Sequence, residues 1–176
     1  MTASVGRWSP PPAPELSGPY TPNVRLDDAE LWELPDGHGP EDVAIDADGS
    51  VYTGLDDGRI LRFPPDGGPP AAVADVGGRP LGLEVDAEGR LVCDSRDGRL
   101  LRVDPVSGAT ETLVEEVEGR HLAFVNNATI AADGRICFSE STASLRQDDF
   151  RTAFVFHTCD GSVFVHDPGR GRRSGC

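Results

Sequence analysis

From residue 38 onward, short runs of alternating apolar and polar residues are separated by turns that contain glycine. Asp48-Gly49 and Asp57-Gly58 each lie between two such runs. Glycine adopts a positive φ without steric cost, so Asp-Gly between short apolar runs predicts a hairpin turn. The strands predicted in this region are Asp42–Ala47, Ser50–Gly54, Arg59–Phe63 and Ala71–Asp75.

The same pattern returns 40 residues later, because residues 79–105 repeat residues 39–65. Gly49 corresponds to Gly89, and Arg59 corresponds to Arg99. A period near 40 residues with several short strands in each unit is typical of a β-propeller. The strands predicted for this second unit are Gly82–Ala87, Arg90–Asp94, Arg99–Val103 and Thr110–Val114.

A third unit is longer and less complete. Two strands are predicted around Asp133-Gly134, and residues 159–168 repeat the pattern of residues 97–105. Thr142–Thr158 therefore forms an insertion before the third strand, and no fourth strand is predicted after it. We predict an all-β fold, an incomplete β-propeller of about three four-stranded blades. The predicted blades are residues 38–76, 79–115 and 119–168.

The number of blades has a structural consequence. A six-bladed ring needs on the order of 250 residues, and this chain has 176. Closing the ring is how a propeller avoids open sheet edges. Half a ring exposes an apolar blade face at each end. The chain is therefore a fragment, or dimerises through those faces, or is poorly stable.

Segments at both ends of the chain differ from the repeats. Residues 1–28, rich in proline and serine, are predicted to be a flexible arm, and residues 29–168 the partial propeller. Ala29–Leu34 could form one more strand, although its apolar residues do not alternate cleanly. Residues 169–176 are basic and polar and are predicted to be a disordered tail.

The composition indicates the cellular compartment and argues against one class of partner. The net charge of −14 argues against a nucleic-acid partner, because phosphate neutralisation needs clustered lysine and arginine. The N-terminus lacks the apolar region of a secretory signal, and no run of about 18 apolar residues could span a membrane. None of the four cysteines has metal-binding or CxxC spacing, so we expect reduced thiols and a cytoplasmic protein.

Candidate ligands lie at one repeated position. Eight residues before the hairpin glycine of each unit are Glu41, Leu81 and Asn126. In a propeller this position begins the innermost strand and faces the mouth of the central channel. Carboxylate and amide oxygens suit calcium, which takes about 6–8 oxygen ligands. In the alternative interpretation, Glu41 caps its turn and Asn126-Asn127 satisfy loop backbone.

Other candidate residues are weaker. His121 precedes the third inner strand and could act as a base at the channel mouth, although a surface or capping role is the stronger interpretation. Asp46-Ala47-Asp48-Gly49 resembles the start of a calcium loop, but its recurrence inside a hairpin favours turn chemistry.

Three segments together resemble a known superfamily. They are GPEDVAID, RPLGLEVDAEGRLVCDS and FVNNATIAADGRICFSES. The chain resembles the strictosidine synthase-like and senescence-marker-protein/gluconolactonase superfamily of six-bladed propellers over residues 38–168. The resemblance implies a calcium-dependent hydrolase of lactones or related small esters, with Glu41 and Asn126 as metal ligands.

This sequence also departs from the superfamily. Leu81 stands where related lactonases place a histidine, and Phe138-Ser139-Glu140-Ser141-Thr142 stands in place of FTDSS. The later blades, which supply the other ligands and the general base, are absent. The function predicted is a truncated calcium-dependent lactone or ester hydrolase. The alternative is a catalytically inactive propeller fragment or binding scaffold that needs a partner chain, such as a second copy, to close.

Overall fold

The computed structural model describes residues 9–156 and 159–169 of the chain. It divides into two compact units, Met1–Trp32 and Glu33–Cys176. The described residues of the first unit are exposed and irregular apart from one 3₁₀ turn at Gly18–Tyr20. The strand predicted over Ala29–Leu34 is wrong. Its apolar residues do not alternate, so they offer no face on which a sheet could pack.

The second unit consists of antiparallel sheets in which each strand pairs with the next strand along the chain. Blade 1 contains β1 (Val43–Ile45), β2 (Val51–Gly54), β3 (Arg59–Phe63) and β4 (Ala71–Asp75). Blade 2 contains β5 (Pro80–Val85), β6 (Leu91–Ser95), β7 (Arg99–Val103) and β8 (Thr110–Val114). A small hairpin follows, formed by β9 (Glu116–Val117) and β10 (Arg120–His121). Blade 3 contains β11 (Phe124–Ile130), β12 (Ile136–Thr142) and β13 (Ser162–His166).

The predicted all-β architecture is confirmed, and the sheets formed by the described residues do not close into a ring. The hairpin turns have the predicted chemistry. Gly49 has a φ of +86°, and the N–H of Ser50 donates to Asp48 Oδ1 at 2.8 Å. That backbone hydrogen bond is the main cause of the lowered pKa of Asp48, because it stabilises the ionised carboxylate.

Two apolar clusters hold neighbouring blades together. The first joins blades 1 and 2 through Ala44, Tyr52, Ile60, Val76, Leu83, Leu91, Leu101 and Val103. The second joins blades 2 and 3 through Val92, Leu100, Leu122, Val125, Ala128, Ile136 and Phe138. Apolar burial is the dominant stabilising term, so each blade is held mainly by the side chains of its neighbours.

The two end faces lack that cover at some equivalent positions, although Leu55, Leu61 and Phe63 of blade 1 stay buried in a third cluster. Ile60 and Leu100 are fully buried between blades, whereas the equivalent residue of blade 3, Val163, is 76% exposed. On the opposite end, Leu83 of blade 2 is buried against blade 1, whereas the equivalent Val43 is 59% exposed. The exposed face at each end of the described blades is therefore the face that other blades use for packing.

The insertion in blade 3 contains a helix that the sequence analysis did not predict. A 3₁₀ turn, Gln147–Asp149, leads into α1 (Phe150–Phe156) between β12 and β13. Seven residues make only two helical turns, too few to produce a recognisable apolar period. Of the predicted tail, residues 170–176 lie outside the described residues. Within the described part of the chain, no helix is long and apolar enough for a membrane span.

Candidate functional site

The first strands of the three blades are neighbours. Strand β5 contacts both β1 and β11. In blade 1, Val43 at the start of β1 pairs with Thr53 near the end of β2. One edge of the blades therefore brings together the starts of first strands and the ends of second strands. We call this edge the mouth of the blades.

Glu41 and Asp42 lie at the mouth, immediately before β1. Glu41 is exposed, and no hydrogen bond found among the described residues uses its carboxylate. Asp42 is half-buried: its Oδ1 accepts from the N–H of Val43 at 2.8 Å and its Oδ2 from the N–H of Leu83 at 3.1 Å. Glu41 therefore has the unused carboxylate, whereas Asp42 connects blades 1 and 2.

Asn126 is the extra residue of a β-bulge. Val125 pairs with Glu140 and Asn127 with Ser139, which leaves Asn126 without a partner across the sheet. Bulges redirect side chains and are frequent beside active sites. Asn126 is half-buried, and its amide makes no hydrogen bond among the residues that the structure describes.

Leu81 lies in the matching irregularity of blade 2. Between the pairs Pro80–Ser95 and Leu83–Cys93, two residues of β5 lie opposite one residue of β6. Leu81 is buried and offers no ligand atom. The register therefore makes Leu81 and Asn126 equivalent, as their spacing from the hairpin glycines indicates.

His121 lies in the small hairpin, where it pairs with Glu116. The side chain of His121 is exposed. The neighbouring residue, Arg120, forms an ion pair with Glu140. Its Nη1 and Nη2 donate to Glu140 Oε1 and Oε2 at 2.9 and 2.6 Å. The hydrogen bonds with Glu140 are the main cause of the raised pKa of Arg120. The sequence analysis missed this pair; a glutamate in an apolar strand was the available signal.

A second polar group lies where blade 3 meets its insertion. Thr142 Oγ1 donates to Asp160 Oδ1 at 2.9 Å, and Ser144 Oγ donates to Asp160 Oδ2. Both hydroxyl groups stabilise the ionised form and lower the pKa of Asp160. These contacts fasten the start of the insertion to the residues that precede β13.

A cavity of about 310 Å³ opens beside the mouth. Asp56 and Arg96 follow the second strands of blades 1 and 2, and the N–H of Arg96 donates to the carbonyl of Arg79 at 2.9 Å. The insertion of blade 3 contributes the opposite wall. The cavity is lined by Asp56, Arg79, Arg96, Gln147, Asp148 and Arg151.

Metal ligands are few at the mouth. Among the described residues, no three histidine, cysteine, aspartate or glutamate side chains come together in a way that could hold a metal ion. Glu41 and Asn126 supply two oxygen donors of the kind that calcium prefers, against a requirement of about 6–8.

Known proteins show the same architecture and sequence pattern. The strictosidine synthase-like N-terminal family model matches residues 18–63. Adipocyte plasma membrane-associated protein from Salmo salar is 34% identical over 172 residues, 88% of this chain and 41% of the relative. STRICTOSIDINE SYNTHASE-LIKE 3 from Arabidopsis thaliana is 28% identical over 166 residues, 81% of this chain and 43% of the relative.

The predicted resemblance to the strictosidine synthase-like superfamily is confirmed. The chain spans about two fifths of the length of the curated relatives it matches. The family match begins at residue 18, inside the segment predicted to be an arm.

Solved structures agree on the fold. A gluconolactonase from Xanthomonas campestris superposes with a TM-score of 0.61 at 22% identity, covering 76% of this chain and 45% of the other. Virginiamycin B lyase from Staphylococcus aureus superposes with a TM-score of 0.52 at 16% identity, covering 62% of this chain and 37% of the other. At this level of identity the likeness shows the fold alone, and it confirms the incomplete β-propeller.

Proposed function

We propose that this chain supplies part of the active site of a calcium-dependent hydrolase of small lactones or related esters. The observation that carries the proposal is the unused amide of Asn126 in a β-bulge, at the position that corresponds to Glu41. The class of substrate in this proposal is the one that the resemblance to the gluconolactonase superfamily implies, and a gluconolactonase has the same fold.

Glu41 and Asn126 would hold the metal ion. One supplies a negative charge and the other a neutral carbonyl oxygen, a combination that suits a hard cation. A bound calcium ion would polarise the substrate carbonyl and stabilise negative charge on its oxygen. Leu81, which is buried, would supply no ligand, and His121 stays the candidate base for the attacking water.

The proposal predicts calcium binding that depends on Glu41. Isothermal titration of calcium into the purified chain should show saturable binding, weakened at least about tenfold in Glu41→Gln, since a charged ligand is lost. Glu111→Gln, on the outer strand of blade 2, is the matched control and should bind like wild type. Absence of binding, or equal loss in both variants, would overturn the metal assignment.

We propose that a second copy of the chain supplies the remaining blades. Two half rings related by a two-fold axis would place blade 3 of each copy against blade 1 of the other. The exposed Val163 and Val43, which correspond to buried contact residues elsewhere, support this arrangement. Leu34 already packs beside Phe63 on the outer part of the blade 1 face, so the inner strands would make the contact.

Sedimentation velocity at micromolar concentration tests the pairing. Wild type should sediment as a dimer, and Val163→Lys should sediment as a monomer, because a buried unpaired charge opposes association. Val106→Lys changes an even more exposed valine, in a turn, and should stay dimeric. A monomeric wild type would rule out the second copy as the partner.

An inactive binding scaffold is the second candidate, favoured by the apolar Leu81 in the middle of the three equivalent positions. A panel of lactones and esters separates the candidates. Calcium-dependent turnover that Glu41→Gln abolishes supports the hydrolase, whereas ligand binding without turnover supports the scaffold.

A further inference from the structure

The buried carboxylate of Glu140 occupies a position at which the other two blades carry no charge. Counted from the hairpin glycines, Glu140 corresponds to Leu55 in blade 1 and to Ser95 in blade 2. None of these three residues is more than 1% exposed. A buried ion pair is often no more stabilising than apolar residues of similar size, because both charges lose their hydration. Stability alone therefore does not explain why blade 3 has an ion pair here.

The residue before the mouth position also differs between the blades, where the mouth position is the place shared by Glu41, Leu81 and Asn126. The preceding residue is Pro40 in blade 1 and Pro80 in blade 2, but Val125 in blade 3. The proline ring fixes φ at about −65° and also restricts the residue before it. Val125 has no such ring, so the backbone that leads into Asn126 needs another restraint.

The sheet itself gives this part of blade 3 little support. Val125 pairs with Glu140, and this pair lies between two irregularities of the ladder. Ser141 of β12 has no partner on β11, and Asn126 of β11 has no partner on β12. Because each irregularity disrupts the ladder locally, the Val125–Glu140 pair is separated from regular pairing on both sides.

The side chain of Glu140 supplies a restraint at this point. Its Oε1 accepts from the N–H of Ala123 at 2.7 Å, and both carboxylate oxygens accept from the guanidinium of Arg120. Nη1 of Arg120 also donates to the carbonyl of His121 at 3.1 Å. The carboxylate therefore holds the backbone that precedes Val125, while the backbone of Glu140 pairs with Val125 itself.

We propose that Glu140 is a positioning residue, whose ion pair with Arg120 fixes the backbone that leads into Asn126 and so sets the direction of the Asn126 amide. The ion pair does in blade 3 what proline does in blades 1 and 2. Ordering of Asn126 stands on the geometry alone, whereas its effect on calcium binding rests on the proposed function. Arg120 neutralises the carboxylate, so Glu140 acts through the backbone and not as a further ligand.

A double variant, Arg120→Met with Glu140→Leu, separates positioning from stability. It replaces the ion pair with apolar side chains, and leucine is the residue that blade 1 has at the position of Glu140. Because neither charge is left unpaired, the midpoint of thermal unfolding should fall by no more than about 5 °C.

Nuclear magnetic resonance in EDTA tests the ordering without any metal. In the double variant, the Cα and Cβ chemical shifts of Asn126, which report its φ and ψ, should move toward random-coil values. The shifts of Leu81 are the control and should not move, because Pro80 restrains the backbone there. Unchanged shifts at Asn126, or equal changes at Leu81, would overturn the inference.

Calcium titration measures the consequence for the proposed site. The double variant and Asn126→Ala should weaken calcium binding by similar factors, about fivefold each, since both remove one oxygen from the shell. Glu140→Gln keeps the oxygen that accepts from Ala123 and from Nη1 of Arg120, so it should bind within about threefold of wild type. A loss in Glu140→Gln as large as in the double variant would contradict positioning.

The two proposals fail in different ways. Absence of calcium binding in wild type would reject the metal site, and the metal-free shifts of Asn126 would still decide whether Glu140 positions it. Full calcium affinity in the double variant would reject the positioning role and leave the metal site. If that variant does not fold, the pair Arg120→Met with Glu140→Ser, which carries the residue of blade 2, provides the same comparison.

Discussion

Arg120 and Glu140 form a two-pronged ion pair between the small hairpin and blade 3. Nη1 and Nη2 of Arg120 donate to the two carboxylate oxygens at 2.9 and 2.6 Å. The N–H of Ala123 adds a third hydrogen bond to Oε1 at 2.7 Å. The carboxylate is fully buried, whereas the arginine side chain is partly exposed. The negative charge of the Glu140 carboxylate is therefore balanced by hydrogen bonds from Arg120 and Ala123.

Arg120→Leu should lower the free energy of unfolding by about 2–3 kcal/mol, because it leaves a buried carboxylate without its counter-ion. This is below the usual cost for fully buried pairs, since the arginine is partly in water. Arg135→Leu is the control, because it breaks the exposed pair with Asp133 and should cost under about 1 kcal/mol. Urea denaturation measures both, and equal losses would contradict the burial argument.

Asp42→Ala should weaken the contact between blades 1 and 2 by about 1–2 kcal/mol, because the buried N–H of Leu83 loses its acceptor. Hydrogen exchange at the Leu83 amide should become faster in the variant. Asp66→Ala removes a carboxylate that accepts from Gly68 in an exposed loop and is the control. Unchanged exchange at Leu83 would show that the bond does not protect it.

The stability of the protein should fall as the pH falls below about 6.5. Burial, with the nearby Arg102, lowers the pKa of His166 from its ordinary value of 6.5. The unfolded chain therefore binds a proton at a higher pH than the folded one, so the stabilising contribution is present above 6.5 and lost as pH falls through the folded pKa. The lowered pKa of Asp160 affects the stability of the protein only when the pH falls below the ordinary pKa of 3.8.

His166→Gln should reduce the change in unfolding free energy between pH 7.5 and 5.5, and His121→Gln, which alters an exposed histidine, should not. A nuclear magnetic resonance titration should place the pKa of His166 below its ordinary value of 6.5. A His166 pKa at or above 6.5 would contradict the prediction.

Gly98→Ala should destabilise the protein more than Gly134→Ala. Both glycines have a positive φ, +76° and +82°, so each substitution costs about 1–2 kcal/mol of backbone strain. At Gly98 an added Cβ would also press into the carbonyl of Leu122, whereas at Gly134 it would meet no atom within 4 Å. Thermal unfolding compares the two, and similar midpoints would contradict the clash.

Much of the blade pattern could be predicted because the turns are encoded locally. The bounds predicted for β3, β4, β7 and β8 agree with the structure. Their strands lie between turns whose glycines take a positive φ, such as Gly58 and Gly98. The equivalence of Leu81 and Asn126 also followed from spacing, because each precedes a hairpin of constant length.

Other features depend on contacts that spacing does not reveal. The partner of Glu140 lies 20 residues earlier along the chain, in a hairpin too short to give a periodic signal. The cavity is assembled from two second-strand ends and the insertion, so no single segment carries its pattern. Whether Glu41 and Asn126 share a metal ion stays a prediction.

The β-bulge at Asn126 divides β11 into two parts with different roles, one at the mouth of the blades and one in the core. Val125 and Ala128 both face the core, which is possible only because one residue between them is unpaired. Substitutions at Asn126 can thus change the chemistry at one end of the strand while the alternation that builds the core stays in register. A chain built this way can acquire or lose a ligand without having to refold.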